Sequence, residues 1–172
     1  DGVLAMVCDS TNVFEEGEAG SEGSCRDELV DLIGEQTGRV AVTAFASNVA
    51  RVESIVRAAE ANGRHVCLVG RSMHRITAAA KAVGMLADCA EFVDEKEAGY
   101  LPPEAILYLC TGSQGEPRAA LSRIAQGNHP HVTLNKGDTV IFSSRVIPGN
   151  ERGIFDLQNA LAEKGVKLIT DR

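Results

Sequence analysis

The sequence predicts a three-layer, doubly wound α/β fold of the Rossmann-like kind, built on a mostly parallel sheet. Three observations carry that prediction. Apolar runs of strand length alternate with helix-periodic segments along the chain. The runs are continuous in Val, Ile, Leu and Cys, without the polar alternation of a half-exposed strand, as strands covered on both faces require. And Gly38, Gly63, Gly84, Gly127 and Gly165 fall where helices should stop, in the manner of left-handed caps.

The elements follow in order. Val3 to Cys8 reads as a first strand, and the polar, Gly-bearing stretch from Val13 to Gly20 as a linker, so residues 1–20 are set apart from a domain over 21–172. Arg26 to Gly34 is helical, with Leu29, Val30, Leu32 and Ile33 on one face. Val40 to Phe45 is a strand, and Val49 to Ala61 a helix buried through Val49, Val52, Ile55, Val56 and Ala59. His65 to Val69 is a strand and Met73 to Val83 a helix. Asp88 to Pro103, charged and closed by a proline pair, is a surface connection with room for a short helix. Then come a strand at Ile106 to Cys110, a helix at Ala119 to Ala125, a strand at Thr139 to Phe142, a helix at Ile154 to Leu161 and a strand at Lys167 to Thr170.

With 172 residues, 44% of them hydrophobic and 24% charged, the chain suits a domain with a real core. No apolar run approaches the roughly 20 residues of a spanning helix, and the N-terminus has no signal-like pattern, so a soluble, cytoplasmic protein without membrane contact is expected. The five cysteines form no CxxC pair, which points to small buried hydrophobes rather than disulfides or a cysteine zinc site. The net charge of −7 opposes a nucleic-acid partner at first sight. The acids, however, cluster in Glu15 to Glu35 and Glu91 to Glu104, while Arg71, Arg75, Arg118, Arg123 and Arg145 lie near strand-exit loops and leave room for a basic mouth.

In open α/β sheets ligands sit at the carboxyl ends of the strands. The loops there read Ala46-Ser47-Asn48, Gly70-Arg71-Ser72, Thr111 through Pro117 (TGSQGEP), and Ser143 through Glu151 (SSRVIPGNE). They combine small residues, hydroxyls, amides and, in three cases, a nearby Arg, chemistry that suits phosphate oxygens. The same residue types serve as N-caps (Asn48, Ser72) or tight turns (Gly112, Gly115, Gly149), so each loop alone is ambiguous. No GxGxxG or P-loop follows a strand, which disfavours a dinucleotide enzyme. His129-Pro130-His131 mimics an HxH ligand pair, but no carboxylate cluster stands near it in sequence and a solvated loop is the expected reading.

Cys8-Asp9-Ser10-Thr11-Asn12, FASN at 45–48, GRSM at 70–73, TGSQGEP at 111–117, FSS at 142–144 and IPGNE at 147–151 together resemble the ordered motifs of the ribonuclease J family, metallo-β-lactamase nucleases with an inserted β-CASP domain. The resemblance implies a β-CASP domain whose parent uses two zinc ions to activate water for RNA cleavage, 5′-to-3′ exonucleolytic with endonucleolytic capacity. It makes Asp9 the bridging metal ligand, a residue that by itself reads equally as an N-cap or Asx-turn. It makes Glu22 the acidic residue that helps organise the active site, although Ser21-Glu22-Gly23-Ser24 departs from the commoner SERE form and Glu22 also suits a helix N-terminus.

On this reading Ser47, Asn48, Arg71, Ser72, Ser113, Gln114, Ser143, Ser144 and Asn150 contact RNA phosphate or sugar. The partners are RNA, 5′-monophosphorylated, and the metallo-β-lactamase domain of the same polypeptide, in a homo-oligomeric parent. No HxHxDH occurs, and the chain ends at Thr170-Asp171-Arg172, before the HVSGH element, so the chain alone is expected to bind no zinc and to be inactive. Two rival readings are a phosphosugar- or nucleotide-binding domain and a non-catalytic protein-interaction module.

Overall fold

A computed structural model describes residues 2–8, 14, 16–17 and 20–170. Its elements are α1 (Glu22–Gly34), β1 (Val40–Thr43), α2 (Val49–Ala61), β2 (His65–Val69), α3 (Arg71–Ala82), α4 (Glu95–Ala98), β3 (Ile106–Cys110), α5 (Ala120–Ala125), β4 (Thr139–Phe142), α6 (Glu151–Glu163) and β5 (Lys167–Ile169), with one 3₁₀ turn at Pro103–Ala105. The strands form one sheet in the order β2-β3-β1-β4-β5, and every pairing is parallel. The three-layer α/β prediction holds.

The strand sequences explain the layers. Side chains alternate across a strand, so in β1 Val40 and Val42 face one side while Ala41 faces the other. The first side packs Leu29 and Ile33 of α1, Val52, Ile55 and Val56 of α2, and Met73 of α3 onto Leu68, Leu107 and Leu109. The second packs Leu121 and Ile124 of α5 with Leu157 and Leu161 of α6 onto Cys67, Tyr108 and Val140. Cys67 and Cys110 are buried there, and burial pushes both thiols up to about 12, the behaviour of inert core groups.

The amino edge of the sheet is tied shut by Arg64. Its guanidinium is buried and donates to the carbonyls of Gln36, Gly38, Pro103 and Ile106. Burial pulls its pKa down, against the nearby Glu104. Asp138 adds a second tie, accepting from the Arg39 and Asn135 backbone N–H groups at 2.9 and 2.8 Å.

Several expectations need correction. Residues 2–8 form no strand, and Val3, Leu4, Met6 and Val7 are 79–101% exposed. A strand needs a partner, and the edges of the sheet are β2 and β5. Helix α1 begins four residues before the expected Arg26, because the Ser21 hydroxyl accepts from the Ser24 N–H at 3.0 Å and caps it. Gly63, Gly84, Gly127 and Gly165 do take positive φ, but Gly38 does not. Gly38 is required for another reason: a Cβ there would lie 2.3 Å from the Gly137 carbonyl oxygen.

Candidate functional site

At the carboxyl edge the chain leaves β1 toward α2 on one face, whereas its neighbours β3 and β4 lead to α5 and α6 on the other. Exit loops that diverge in this way open crevices on both sides of β1. One hollow, about 280 Å³, lies between the β1 and β3 exits and is lined by Ser47, Ser72, Arg75, Thr111, Ser113 and Glu116. Two others, of about 270 and 210 Å³, share Phe142, Ser144, Arg145 and Thr170 at the β4 and β5 exits. Ser113 borders the first and the third, so the three form one rim.

Gln114 organises this rim. Its side chain is buried, and Nε2 donates to the Arg145 carbonyl at 2.9 Å and to Ser144 Oγ at 3.4 Å. Its Oε1 accepts from the Ile147 N–H at 2.9 Å and from Asn150 Nδ2 at 3.3 Å. Gln114 thereby clamps the loop after β4 onto the loop after β3. Gly115 brings those loops still closer: with φ +72° it lies against the backbone of Gly153 in α6, where a Cβ would meet the Gly153 carbonyl carbon at 2.2 Å.

Beside the β4 exit, Arg51 joins α1, α2 and β4. Its Nε and Nη2 donate to the two Glu22 carboxylate oxygens at 2.7 and 3.2 Å, and Nη1 donates to Ser143 Oγ at 2.9 Å and to the Ser143 carbonyl at 3.2 Å. Burial pushes the Glu22 carboxyl up, but hydrogen bonds from Arg51 and Ser54 together with the guanidinium charge outweigh it and hold it below the usual carboxylate range. The Glu22 hydrogen bond in turn raises Arg51. Glu22 is an anion, closed by a bidentate pair.

Residues 37–161 match the family model described as Ribonuclease J, beta-CASP domain. The chain belongs to that family. It is 48% identical over 171 residues to ribonuclease J of Sinorhizobium meliloti, 43% over 171 residues to that of Mycolicibacterium smegmatis and 39% over 169 residues to that of Thermus thermophilus. These alignments cover 99%, 99% and 98% of this chain and 30%, 31% and 30% of the respective relatives, so the chain spans about a third of their length.

Within this ribonuclease J β-CASP domain, Ser47, Ser72, Ser113, Ser143 and Ser144 all reach the rim. Asn48 spends its side-chain oxygen on the Arg51 N–H, at 3.1 Å, as the N-cap of α2. Ser72 lies inside α3, whose N-cap is Gly70, so its capping alternative falls. Arg71 is exposed in the first turn of α3, while Arg75, one turn on, borders the hollow. Gln114 and Asn150 bond to each other and to protein groups. Asp9 lies outside the described residues, and Glu22 precedes the segment matched to the family.

The basic mouth is not found. Arg51, Arg75 and Arg145 border the hollows, but so do Glu28 and Glu116, and Arg123 sits in the last turn of α5 bonded to the Asn128 carbonyl. His129 is likewise not solvated: its side chain is 5% exposed and Nδ1 accepts from the Val132 and His131 N–H groups at 3.2 and 3.4 Å. Sequence reasoning missed Arg51 altogether. Its position between Val49 and Val52 marked only a polar helix residue, and the acid it meets lies 29 residues away. Among the described residues no three His, Cys, Asp or Glu side chains come together to hold a metal, so they do not fit a zinc pair. No described helix is long and apolar enough to cross a membrane.

Proposed function

We propose that this domain forms one wall of the RNA channel of a longer, zinc-dependent ribonuclease that cleaves RNA from the 5′ end and internally, in a cytoplasmic, homo-oligomeric enzyme. The observation that carries the reading is the convergence of the family-type loops, FASN, TGSQGEP and SSRVIPGNE, on one edge of the sheet as a rim of hydroxyls and arginines. Backbone phosphates suit such a rim, because hydroxyls and guanidinium groups position a strand without reading its bases. Residues 1–20 belong with the metallo-β-lactamase part of the parent, and Asp9 is the metal ligand this chain contributes to it. Bond cleavage rests with groups beyond this chain, which alone is inactive.

The mixed charge of the rim sets the expected strength. With acids interleaved, binding by this chain is weak, and its salt dependence reflects few phosphate contacts. The test is binding of a 5′-monophosphorylated RNA oligonucleotide across a salt series, for the wild-type chain and for Arg75→Ala with Arg145→Ala. Each lost arginine should lower affinity uniformly across sequences and reduce the slope of log affinity against log salt by about one. Binding and slope unchanged in the double variant would remove the rim from the RNA path.

A further inference from the structure

We propose that Arg51, held by Glu22, is a positioning residue that makes the Ser143 hydroxyl a hydrogen-bond donor to a phosphate oxygen of RNA. The proposal rests on the channel-wall reading and goes past it by giving Arg51 a role that the sequence motifs do not, and Glu22 a specific one, that of holding this arginine.

The chemistry follows from donor counting. A guanidinium only donates, and a hydroxyl has one proton with two acceptor lone pairs. Because Arg51 Nη1 donates to Ser143 Oγ at 2.9 Å, that oxygen must accept on this side, and its own proton points elsewhere. The backbone leaves little other freedom: the Ser143 N–H is bonded to the Thr43 carbonyl at 2.9 Å and the Ser143 carbonyl to the same Nη1.

Glu22 fixes the plane of the guanidinium by taking Nε and Nη2, so the remaining arm is aimed at the β4 exit. Arg51, Ser143, Ser144 and Arg145 line the same hollow of about 270 Å³. Cys25 lines the same hollow, and a thiol is a weak acceptor with which an anionic phosphate oxygen competes easily for the Ser143 proton. With both carboxylate oxygens paired, Glu22 moves no proton; it acts through Arg51.

The test is a double-mutant cycle on binding of a 5′-monophosphorylated RNA oligonucleotide by the whole chain, with thermal unfolding of each variant as the check on folding. Ser143→Ala should weaken binding roughly three- to tenfold, the range of a single hydrogen bond. Arg51→Gln should weaken it by a similar factor, and the two together by no more than Ser143→Ala alone, because the groups act as one unit. Ser143→Thr, which keeps the hydroxyl, should retain affinity while Arg51 is present and lose it with Arg51→Gln. If Arg51→Gln fails to fold, Glu22→Gln serves in its place, since it releases the guanidinium without removing it.

Effects that multiply, or an Arg51 variant that binds like wild type while Ser143→Ala does not, would overturn the positioning role and leave the channel wall standing. Wild-type chain without salt-dependent RNA binding would overturn both.

Discussion

Gln114 shows how far residue type carries. In the sequence it stands in TGSQGEP as an amide suited to phosphate, and in the fold it is a buried clamp with both ends engaged, joining the loops that present Ser113 and Ser144. Arg64 is the converse, a charge that nothing in the sequence marks as buried. Replacing it by Met would strand four carbonyls at the amino edge, so Arg64→Met should cost on the order of 3 kcal/mol in urea unfolding.

His129 carries a pH signature at the same scale. Burial, aided by Arg123 and His131 and opposed by Glu95, holds its pKa below the ordinary 6.5. Over that interval the unfolded chain binds a proton that the folded chain does not, so stability is present above about 6.5 and is lost as pH falls toward the folded value. His129→Asn, which keeps an acceptor for the Val132 N–H, should flatten the acid side of the stability curve between pH 7 and 5.

Among the elements, the core strands were the most legible. β2, β3 and β4 run from His65, Ile106 and Thr139 as their apolar residues require, since a continuous Val/Ile/Leu run has nowhere to lie except between two helical layers. Boundaries set by polar contacts were hidden: the first turn of α1 rests on the Ser21 cap, just past the Val13 to Gly20 linker and ahead of the apolar face that marks the helix. Val3 to Cys8 forms no strand in this chain for a different reason: composition marks a strand but not its partner, and the expected partner belongs to the metallo-β-lactamase part of the parent.

Loop packing is the other element-scale feature that spacing cannot show, and the Gly115 contact with Gly153 tests it. Gly115→Ala places a methyl into α6 backbone at a left-handed position. It should destabilise by about 1–3 kcal/mol from overpacking, with about 1 kcal/mol more from the backbone. Thermal unfolding measures the loss, and faster amide exchange at Ser113 to Glu116 would locate it.

At the scale of the whole molecule, the net charge of −7 and the mixed rim give the proposed channel wall little electrostatic pull, so on that proposal it guides RNA rather than capturing it. The edge was legible, because a parallel sheet places every strand exit on one side. The Glu22–Arg51–Ser143 link was not, since it joins residues 29 and 92 apart in sequence.

The most direct measurement is amide chemical-shift mapping of the chain titrated with a short 5′-monophosphorylated RNA. Shifts should gather at Ala46 to Asn48, Thr111 to Glu116 and Ser143 to Asn150 on the carboxyl edge, with Gln36, Gly38, Arg64 and Gly137 on the amino edge unmoved. Shifts confined to the amino edge, or scattered over the outer faces of α2 and α6, would contradict a channel wall built from the strand-exit loops.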